Sequence, residues 1–184
     1  MTTTETAGAL TYQIDPAHSR VHFAIRHLMI AYIRGEFQHV TGTVTYHPGD
    51  LAQLSVEATI DANTFHSGNE QRDAHVKGEH FLNVAAFPTI TFVSKHATAS
   101  EAGAQIVGDL TLHGVTHEVT LLATNISEEV NDPWGNRRLG VTASARIDRA
   151  SFGIDFNIPM DNGGVALSNE LDITLDLQLT RKPE

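Results

Sequence analysis

The sequence contains no cysteine, which excludes three kinds of chemistry at once. Disulfide bonds, zinc sites with cysteine ligands and thiol nucleophiles all need a sulfur that this chain does not have. Basic residues are also few, since 12 lysines and arginines stand against 22 aspartates and glutamates, a formal net charge of −10. Proteins that bind nucleic acids present positive charge to the phosphates, so we expect no nucleic-acid partner.

Long apolar runs are missing as well. No stretch approaches the roughly 20 apolar residues of a transmembrane helix, so we expect no transmembrane segment. The first residues, MTTTETAGAL, lack the basic start and apolar core of a secretory signal, which predicts a cytoplasmic protein. The length of 184 residues suits one domain with a sizeable core. We expect a flexible N-terminal tail over residues 1–10 and a single domain over residues 11–182.

Alternation of apolar and polar residues recurs through nearly the whole chain. Side chains of a strand point alternately to two faces, so this pattern predicts strands with one buried face. About eight such segments follow one another, mostly joined by short turns. Long strands joined by short turns favour closure into a barrel, because closure removes exposed edges. We therefore predict an all-β fold, an extended eight-stranded antiparallel up-and-down barrel.

One segment, between Phe65 and Phe87, interrupts the alternation. The letters SGNE, from Ser67 to Glu70, have the serine-to-glutamate spacing of a helix capping box. The polar residues that follow tolerate a helix, and Gly78 is a suitable stop. We predict one short surface helix near residues 68–78, held over one end of the barrel by the apolar residues after it.

Histidines invite a search for a metal site, because three of them lie in HSRVHFAIRH, from His18 to His27. In a strand, however, His27 shares a face with the apolar residues, and His22 lies on the other face. His113 and His117 in HGVTH are the nearest other pair. We expect a four-residue turn there, with His113 inside the loop and Leu112 paired with His117, so that the two histidines do not face each other. The sequence therefore predicts no metal site.

The interior of an eight-stranded barrel either fills with side chains or holds one small ligand. Small inward residues such as Gly108 and Ala143 leave space, but large residues opposite them can fill it, so both alternatives stay open. Arg149 shares the inward phase of Ile147 at the end of a strand. A buried arginine needs an acceptor. That acceptor is either a carboxylate or backbone carbonyl of the protein, or the head group of a ligand.

Five collinear stretches resemble the YceI-like family. Together they cover nearly everything after residue 10, and their order makes the resemblance specific. Three positions depart from the family's usual pattern: Lys77 stands where an arginine is commoner, His80 where an acidic residue is commoner, and His117 where a lysine or arginine is commoner. The stretches are DPAHSRVHFAIRHL (15–28), GEFQHVTGTV (35–44), NEQRDAHVKGEHFLNVAAFPTITFVS (69–94), GDLTLHGVTHEVTL (108–121) and IDRASFGIDF (147–156).

The resemblance implies a barrel similar to a lipocalin, with a long apolar tunnel that binds polyisoprenoids or related amphipathic lipids. Isoprenyl pyrophosphates, quinones and fatty-acid derivatives are the expected types. It implies no catalytic activity and no cofactor apart from the bound lipid, which we expect to be stored, transported or sequestered. A homodimer stays open. Two other hypotheses also stay open: a lipid-modifying enzyme that uses His27 or Arg149, and a filled barrel that acts as a stress-related interaction protein.

The expected ligand-binding residues follow from the inward phase of the strands and from the resemblance. His27 matches the second histidine of the family's HSxVxFxVxH stretch, at the end of an apolar stripe, where a ring nitrogen suits a head group. The full set consists of Phe23, Ile25, His27, Ile90, Phe92, Leu110, Leu121, Val141, Arg149, Phe152, Ile173 and Leu175.

Overall fold

A sheet that closes on itself forms the body of the computed structural model, which describes residues 8–182. One α-helix, α1 (Glu70–Lys77), and two short 3₁₀ turns, Ala62–Thr64 and Arg149–Phe152, accompany the strands. The strands are β1 (Leu10–Ile14), β2 (Arg20–His27), β3 (Ala31–Phe37), β4 (Val40–His47), β5 (Asp50–Asp61), β6 (Phe65–His66), β7 (Thr89–Ser100), β8 (Gly103–Leu112), β9 (Val115–Thr124), β10 (Val130–Asn131), β11 (Arg137–Asp148) and β12 (Leu167–Arg181).

These strands form a barrel of eight because three of the barrel strands are interrupted. Strands β1 and β2 follow one another along β12, and β4 and β3 pair with them in turn. Strand β5 continues as β6 after the first 3₁₀ turn. Strands β7, β8 and β9 follow as neighbouring hairpins, and β11 pairs with both β9 and β12 to close the ring. The predicted eight-stranded antiparallel up-and-down barrel is confirmed.

The N-terminal boundary can be compared only in part. Residues 1–7 of the predicted tail lie outside the described residues, and Leu10 already begins β1.

None of the helices in the described part of the chain has the length and apolar character needed to cross a membrane.

The turn between β8 and β9 is shorter than the sequence predicted. Leu112 pairs with Val115, and Leu110 pairs with His117, so only His113 and Gly114 form the turn. Both have positive φ, 53° and 73°, which is the conformation of the two-residue turns that fit the twist of a hairpin. The expected four-residue loop was wrong because Gly114 makes the tighter turn available.

Helix α1 lies where it was predicted, but its cap is a different residue. The side chain of Asn69 accepts a hydrogen bond from the backbone N–H of Arg72, at 2.9 Å. Ser67 does not cap the helix, because its hydroxyl donates to the Asp73 carboxylate instead. The predicted capping box was therefore wrong. Asparagine caps as well as serine does, and Asn69 lies directly before the first helical residue.

The two ends of the barrel carry different connections. The β2–β3 turn, the segment 62–88 with α1, the β8–β9 turn and the connection 149–166 gather at one end, named here the helix end. The β4–β5 and β7–β8 turns and the connection 125–136 lie at the opposite end. The longer segments at the helix end supply side chains that strands alone cannot place over the interior.

An ionic network braces the opposite end. Arg138 donates to Asp132 at 2.7 Å and also contacts the Asp15 carboxylate. Burial alone would raise the pKa of Asp15, but hydrogen bonds from Arg138, His18 and the backbone of Ala17 lower it to about 2. The hydrogen bonds from Arg138 and Asn136 likewise hold the pKa of Asp132 below its ordinary value.

Acid should therefore weaken the fold through this network. A carboxyl whose pKa is lowered by folding stabilises the protein fully above its unfolded pKa, and that contribution disappears as the pH falls through the folded pKa. For Asp15 the window runs from 3.8 down to about 2. We expect the free energy of unfolding to fall across this window, and Arg138→Met to flatten the fall. Urea unfolding at several pH values measures this pH dependence. If the free energy of unfolding falls as steeply in the variant as in the wild type, the Arg138–Asp15 pair is not its cause.

Candidate ligand-binding cavity

The half of the barrel towards the opposite end is filled. Phe92 occupies the space that the missing side chain of Gly108 leaves, since a Cβ built at Gly108 would lie 2.5 Å from the Phe92 ring. Large residues thus fill the room left by small ones, as one of the two alternatives anticipated. The buried members of this cluster are Phe92, Ala97, Ala104, Ile106, Ala123 and Ala143.

The half towards the helix end is hollow. A cavity of about 340 Å³ lies there, at the lower end of the roughly 300–1,000 Å³ typical of small-ligand pockets. Strand, helix and connection residues all contribute to its wall, and most of them are apolar. The apolar wall residues include Val21, Phe23, Ile25, Ile33, Phe37, Ile60, Phe65, Val76, Phe81, Leu82, Ile90, Leu110, Leu112, Ile147, Ile154, Phe156, Ile158, Leu167, Leu171 and Ile173.

The structure brings part of the predicted residue set together in this wall. The members that line the cavity are Phe23, Ile25, His27, Ile90, Leu110, Arg149 and Ile173. They come from β2, β7, β8 and β12 and from the second 3₁₀ turn. Their alternation in the sequence is the signal that located them.

The remaining predicted residues lie outside the cavity wall. Phe92 is buried in the filled half, and Leu121, Val141 and Leu175 pack against it and its neighbours. Phe152 is also buried, but it packs against the His117 ring, with 5.1 Å between the ring centroids. The alternation of side chains along the strands predicts which residues turn inward. It does not predict which part of the interior stays empty. The cavity therefore occupies only the helix-end half of the inward stripe, and which of the predicted residues bind a ligand stays a prediction.

Sequence reasoning missed the wall residues that come from irregular segments. Segment 62–88 contributes Arg72, His75 and Val76 from α1 and Phe81 and Leu82 after it. The connection 149–166 contributes Ile154, Phe156 and Ile158. The alternation in GIDFNIP was a usable signal for the second group. No periodicity marks the first.

Arg149 lies in the wall with an unusual set of partners. The residue is 2% exposed, and its guanidinium donates to the backbone carbonyls of Ser168 (2.9 Å), Ile154 (2.7 Å) and Phe156 (3.0 Å). The protein thus supplies the backbone-carbonyl partner of the structural alternative. No carboxylate in the described residues forms an ion pair with Arg149, and its Nη2 has no hydrogen-bond partner there.

The charge of Arg149 is therefore only partly compensated. Burial lowers the pKa of its guanidinium, and the negative charges of Asp148 and Asp155 oppose that effect. An arginine nevertheless stays protonated at neutral pH. Its Nη2 is thus a buried donor of a residue in the cavity wall, and no acceptor of the described residues pairs with it.

Four other polar residues reach the wall: His27, Arg72, His75 and Asn157. Asn157 is satisfied by the protein, since its side chain exchanges hydrogen bonds with the backbone of Leu167. Arg72 donates to the hydroxyl and the carbonyl of Ser67, and His75 packs edge-on against Phe81. None of the wall residues is an aspartate or glutamate. The wall therefore offers donors to a ligand and no carboxylate.

A buried carboxylate holds α1 over the cavity. Asp73 accepts hydrogen bonds from the backbone and side chain of Ser67 and lies 3.2 Å from the His66 ring. Burial would raise the pKa of Asp73, but the bonds from Ser67 and the proximity of His66 lower it overall. The loop before α1 is thereby tied to the first turn of the helix.

Replacing Asp73 should loosen this cover. Asp73→Ala leaves the two Ser67 donors without their acceptor, and we expect a loss of about 1–3 kcal/mol in the free energy of unfolding. Glu70→Ala, on the exposed side of the same helix, serves as the control and should cost less than about 0.5 kcal/mol. Thermal and urea unfolding measure both. Equal losses in the two variants would show that Asp73 has no special role.

Comparison with known proteins places the chain among relatives of matching length. A model of the YceI-like domain matches residues 12–179. A UPF0312 protein of Enterobacter sp. (strain 638) is 37% identical over 178 residues, which cover 96% of this chain and 89% of that protein. The crystal structure of Burkholderia cenocepacia BcnA is similar with a TM-score of 0.73 at 22% identity, covering 90% of this chain and 98% of BcnA.

A further structural neighbour is a domain from Saccharophagus degradans, described as a polyisoprenoid binding domain implicated in plant cell wall breakdown. Its TM-score is 0.66 at 15% identity, and the match covers 94% of this chain and 98% of the domain. At these identities the two solved structures show that the fold is shared.

Proposed function

This chain belongs to the family of YceI-like domains, and on that basis we propose that its barrel binds the chain of an amphipathic lipid and does not convert it chemically. Polyisoprenoids, isoprenyl pyrophosphates, quinones and fatty-acid derivatives are the candidate types. Storage, transport or sequestration in the cytoplasm is the corresponding role. The polyisoprenoid-binding description of the S. degradans domain supports this class of ligand.

The observation that carries the proposal is the hollow, apolar half of the barrel. Burying apolar surface contributes about 25 cal/mol per Å², or about 0.8 kcal/mol per CH₂ group. A hydrocarbon chain is the ligand that gains most from a wall of this kind. A filled barrel would offer no such site, so the cavity argues against the hypothesis of a purely structural interaction protein.

The cavity also sets a limit on chain length. It ends where Leu110, a wall residue, pairs across the strands with Phe92, the first residue of the filled half. A chain that enters from the helix end meets the Phe92 cluster before it reaches the opposite end. We infer that the barrel takes up a limited length of chain and that Phe92 forms the floor.

The polar groups of the wall indicate the chemistry of the head group. The free Nη2 of Arg149 is a donor, and no carboxylate in the wall competes for it. A head group with acceptor oxygens, such as a phosphate, a quinone carbonyl or a carboxylate, fits this environment. An ammonium head group would meet only positive or neutral neighbours, so we infer that cationic lipids bind worst.

The wall does not favour an enzyme. General acid–base catalysis needs a group that gains and loses a proton near neutral pH. Arg149 cannot do this, because it stays protonated and spends its donors on three backbone carbonyls. His27 has no carboxylate within ion-pair distance among the described residues to orient or activate its ring. We infer binding without turnover.

Extraction tests the proposal most simply. Freshly purified protein is extracted with organic solvent, and the extract is analysed by mass spectrometry beside a titration of the delipidated protein with a prenyl alcohol. The proposal expects an intact amphipathic lipid or saturable uptake of the added one. If folded protein gives neither of these two results, lipid binding is rejected. Consumption of the lipid that disappears with His27→Ala would instead establish the enzyme hypothesis.

Narrowing the cavity should shorten the longest chain that binds. Ile173 lines the cavity on β12, and Leu175, the next inward residue of the same strand, lies in the filled half. We expect Ile173→Phe to lower the chain length at which affinity stops rising. Leu175→Phe should cost about 1–3 kcal/mol of stability through overpacking and leave that length unchanged. A chain-length series of prenyl alcohols checks both, and the same shift in both variants would contradict the placement of the cavity.

A further inference from the structure

The turn between β2 and β3 carries three bulky apolar residues that the barrel does not bury. Leu28 is 37% exposed, Met29 40% and Ile30 79%. The backbone N–H of Leu28 donates to the carbonyl of Ala166 at 2.7 Å, and Ala166 belongs to the cavity wall. The exposed turn therefore lies beside the cavity.

The conformation of this turn makes its composition harder to explain. Leu28 and Met29 both have positive φ, 51° and 59°. Glycine and asparagine adopt that region easily, whereas a side chain such as leucine or methionine is strained in it. Other residue types would suit the backbone of this turn better. The side chains of Leu28 and Met29 are also too exposed to be required for packing of the core. Backbone strain that is not needed for packing of the core points to a function of the side chains themselves.

Further exposed apolar residues surround the turn. Tyr32 follows it on β3, and Ile158 and Val165 lie on the connection 149–166, whose Ala166 accepts the hydrogen bond from Leu28. Ile158 also lines the cavity, so this group borders the cavity wall. Single exposed apolar residues are ordinary, but a contiguous group marks an interaction surface. We name these residues the apolar rim: Leu28, Met29, Ile30, Tyr32, Ile158 and Val165.

Positive charge flanks the apolar rim, against the trend of the whole chain. The guanidinium groups of Arg26 and Arg34 lie 5.2 Å and 5.4 Å from the centre of the Tyr32 ring. Neither arginine forms an ion pair within residues 8–182. No aspartate or glutamate occurs between Arg20 and Gly35, although the chain carries a net charge of −10. The strand register brings one carboxylate to the same row as Arg34, that of Asp172, and it is paired with Arg146.

We propose that the apolar rim, together with Arg26 and Arg34, docks onto an anionic lipid bilayer, so that the cavity opens towards the membrane. Apolar side chains at such a surface enter the boundary between head groups and acyl chains, and arginines are attracted to anionic lipids. The net negative charge acts weakly here, because salt screens charges beyond roughly 8 Å at physiological ionic strength. The purpose of docking, direct transfer of a lipid, rests on the proposed function.

Charge favours a membrane over a second copy of the chain. A symmetric dimer brings the same patch of each subunit together, so the arginines of one copy would approach those of the other. Like charges in contact oppose association. An anionic bilayer offers the opposite charge and an apolar layer at once, and those are the two features that this surface presents.

Co-sedimentation with vesicles tests the proposal. The delipidated protein is mixed with vesicles of phosphatidylcholine alone and with vesicles of equal parts phosphatidylcholine and phosphatidylglycerol. We expect binding to the anionic vesicles that weakens with salt, and a loss of roughly tenfold or more in the triple variant Leu28→Ser, Met29→Ser, Ile30→Ser. Ile126→Ser with Trp134→Ser removes exposed apolar residues at the opposite end and should change nothing.

A second variant of the turn separates an effect on vesicle binding from an effect on folding. Leu28→Asn with Met29→Gly gives the turn residues suited to positive φ, so its melting temperature should rise by about 2–4 °C while binding to anionic vesicles falls. The double variant Arg26→Gln, Arg34→Gln should lose the preference for anionic vesicles, whereas Arg137→Gln with Lys182→Gln, at the opposite end, should keep it.

Three results would overturn the proposal. The wild-type protein does not bind anionic vesicles, the turn variants bind as it does, or the wild type is a dimer that the triple variant dissolves. The vesicles contain no isoprenoid, so docking is measured without filling the cavity. If the protein takes up prenyl alcohol normally but does not bind anionic vesicles, only the docking proposal is rejected. Docking without such uptake would reject the proposed function instead.

Discussion

Phe92→Ala should let the barrel accept a longer lipid chain and should destabilise the empty protein by about 3–5 kcal/mol. Phe92 is 7% exposed, lies on β7 in phase with Ile90 and pairs across the strands with Leu110, and both of these line the cavity. Its ring covers the backbone of Gly108. Removing the ring takes away the floor, so the cavity should extend into the filled half.

The measurement is the chain length at which affinity stops rising, together with urea unfolding in the presence and absence of lipid. A long chain that fills the new space should restore part of the lost stability, because a ligand that binds only the folded state stabilises it. Phe152→Ala is the matched control, since Phe152 is another buried phenylalanine outside the wall. It should lose similar stability without a longer chain limit. An unchanged limit in Phe92→Ala would show that the floor lies elsewhere.

Arg149→Met should have the second large effect, on both stability and head-group preference. The substitution leaves the carbonyls of Ser168, Ile154 and Phe156 without their donor, and we expect a loss of roughly 3–5 kcal/mol. Ile154 and Phe156 belong to the connection 149–166, which forms one wall of the cavity. It should become more mobile, which hydrogen exchange can show.

The head-group effect separates two roles of Arg149. A hydrogen bond to a charged group contributes about 1.5–3 kcal/mol, so affinity for a pyrophosphate lipid should fall roughly 10- to 100-fold while affinity for the matching alcohol changes little. Arg149→Lys keeps the charge and should retain part of the preference. Arg146→Met is the control, because Arg146 is an exposed arginine near the end of β11 and is paired with Asp172. Equal losses for charged and uncharged heads would leave Arg149 a purely structural role.

Much of the fold follows from the alternation of residues. The stripe of β12, from Leu171 to Leu179, fixes one wall of the barrel, and the same parity places Arg149 inward at the end of β11. A residue's phase is a local property of the backbone, so it can be read from neighbours in the sequence. The short β8–β9 turn was missed because parity allows turns of more than one even length.

The location of the empty space could not be read in the same way. Whether Gly108 leaves a void depends on Phe92 of the neighbouring strand, which packs over it. That contact depends on the pairing register and on rotamers, and neither leaves a periodic trace. Arg72, Phe81 and Leu82 reach the wall from a helix and a loop that cross the barrel end, so strand alternation says nothing about them.

The most direct test of lipid binding compares the contributions of chain and head. Delipidated protein is titrated with prenyl chains of increasing length, each carrying a pyrophosphate, alcohol or quinone head. A largely apolar cavity with few polar groups predicts that affinity rises with chain length until the space above Phe92 is full, while the head shifts it by roughly 10- to 100-fold at most. Affinity that ignores chain length and changes by several orders of magnitude with the head would contradict the account.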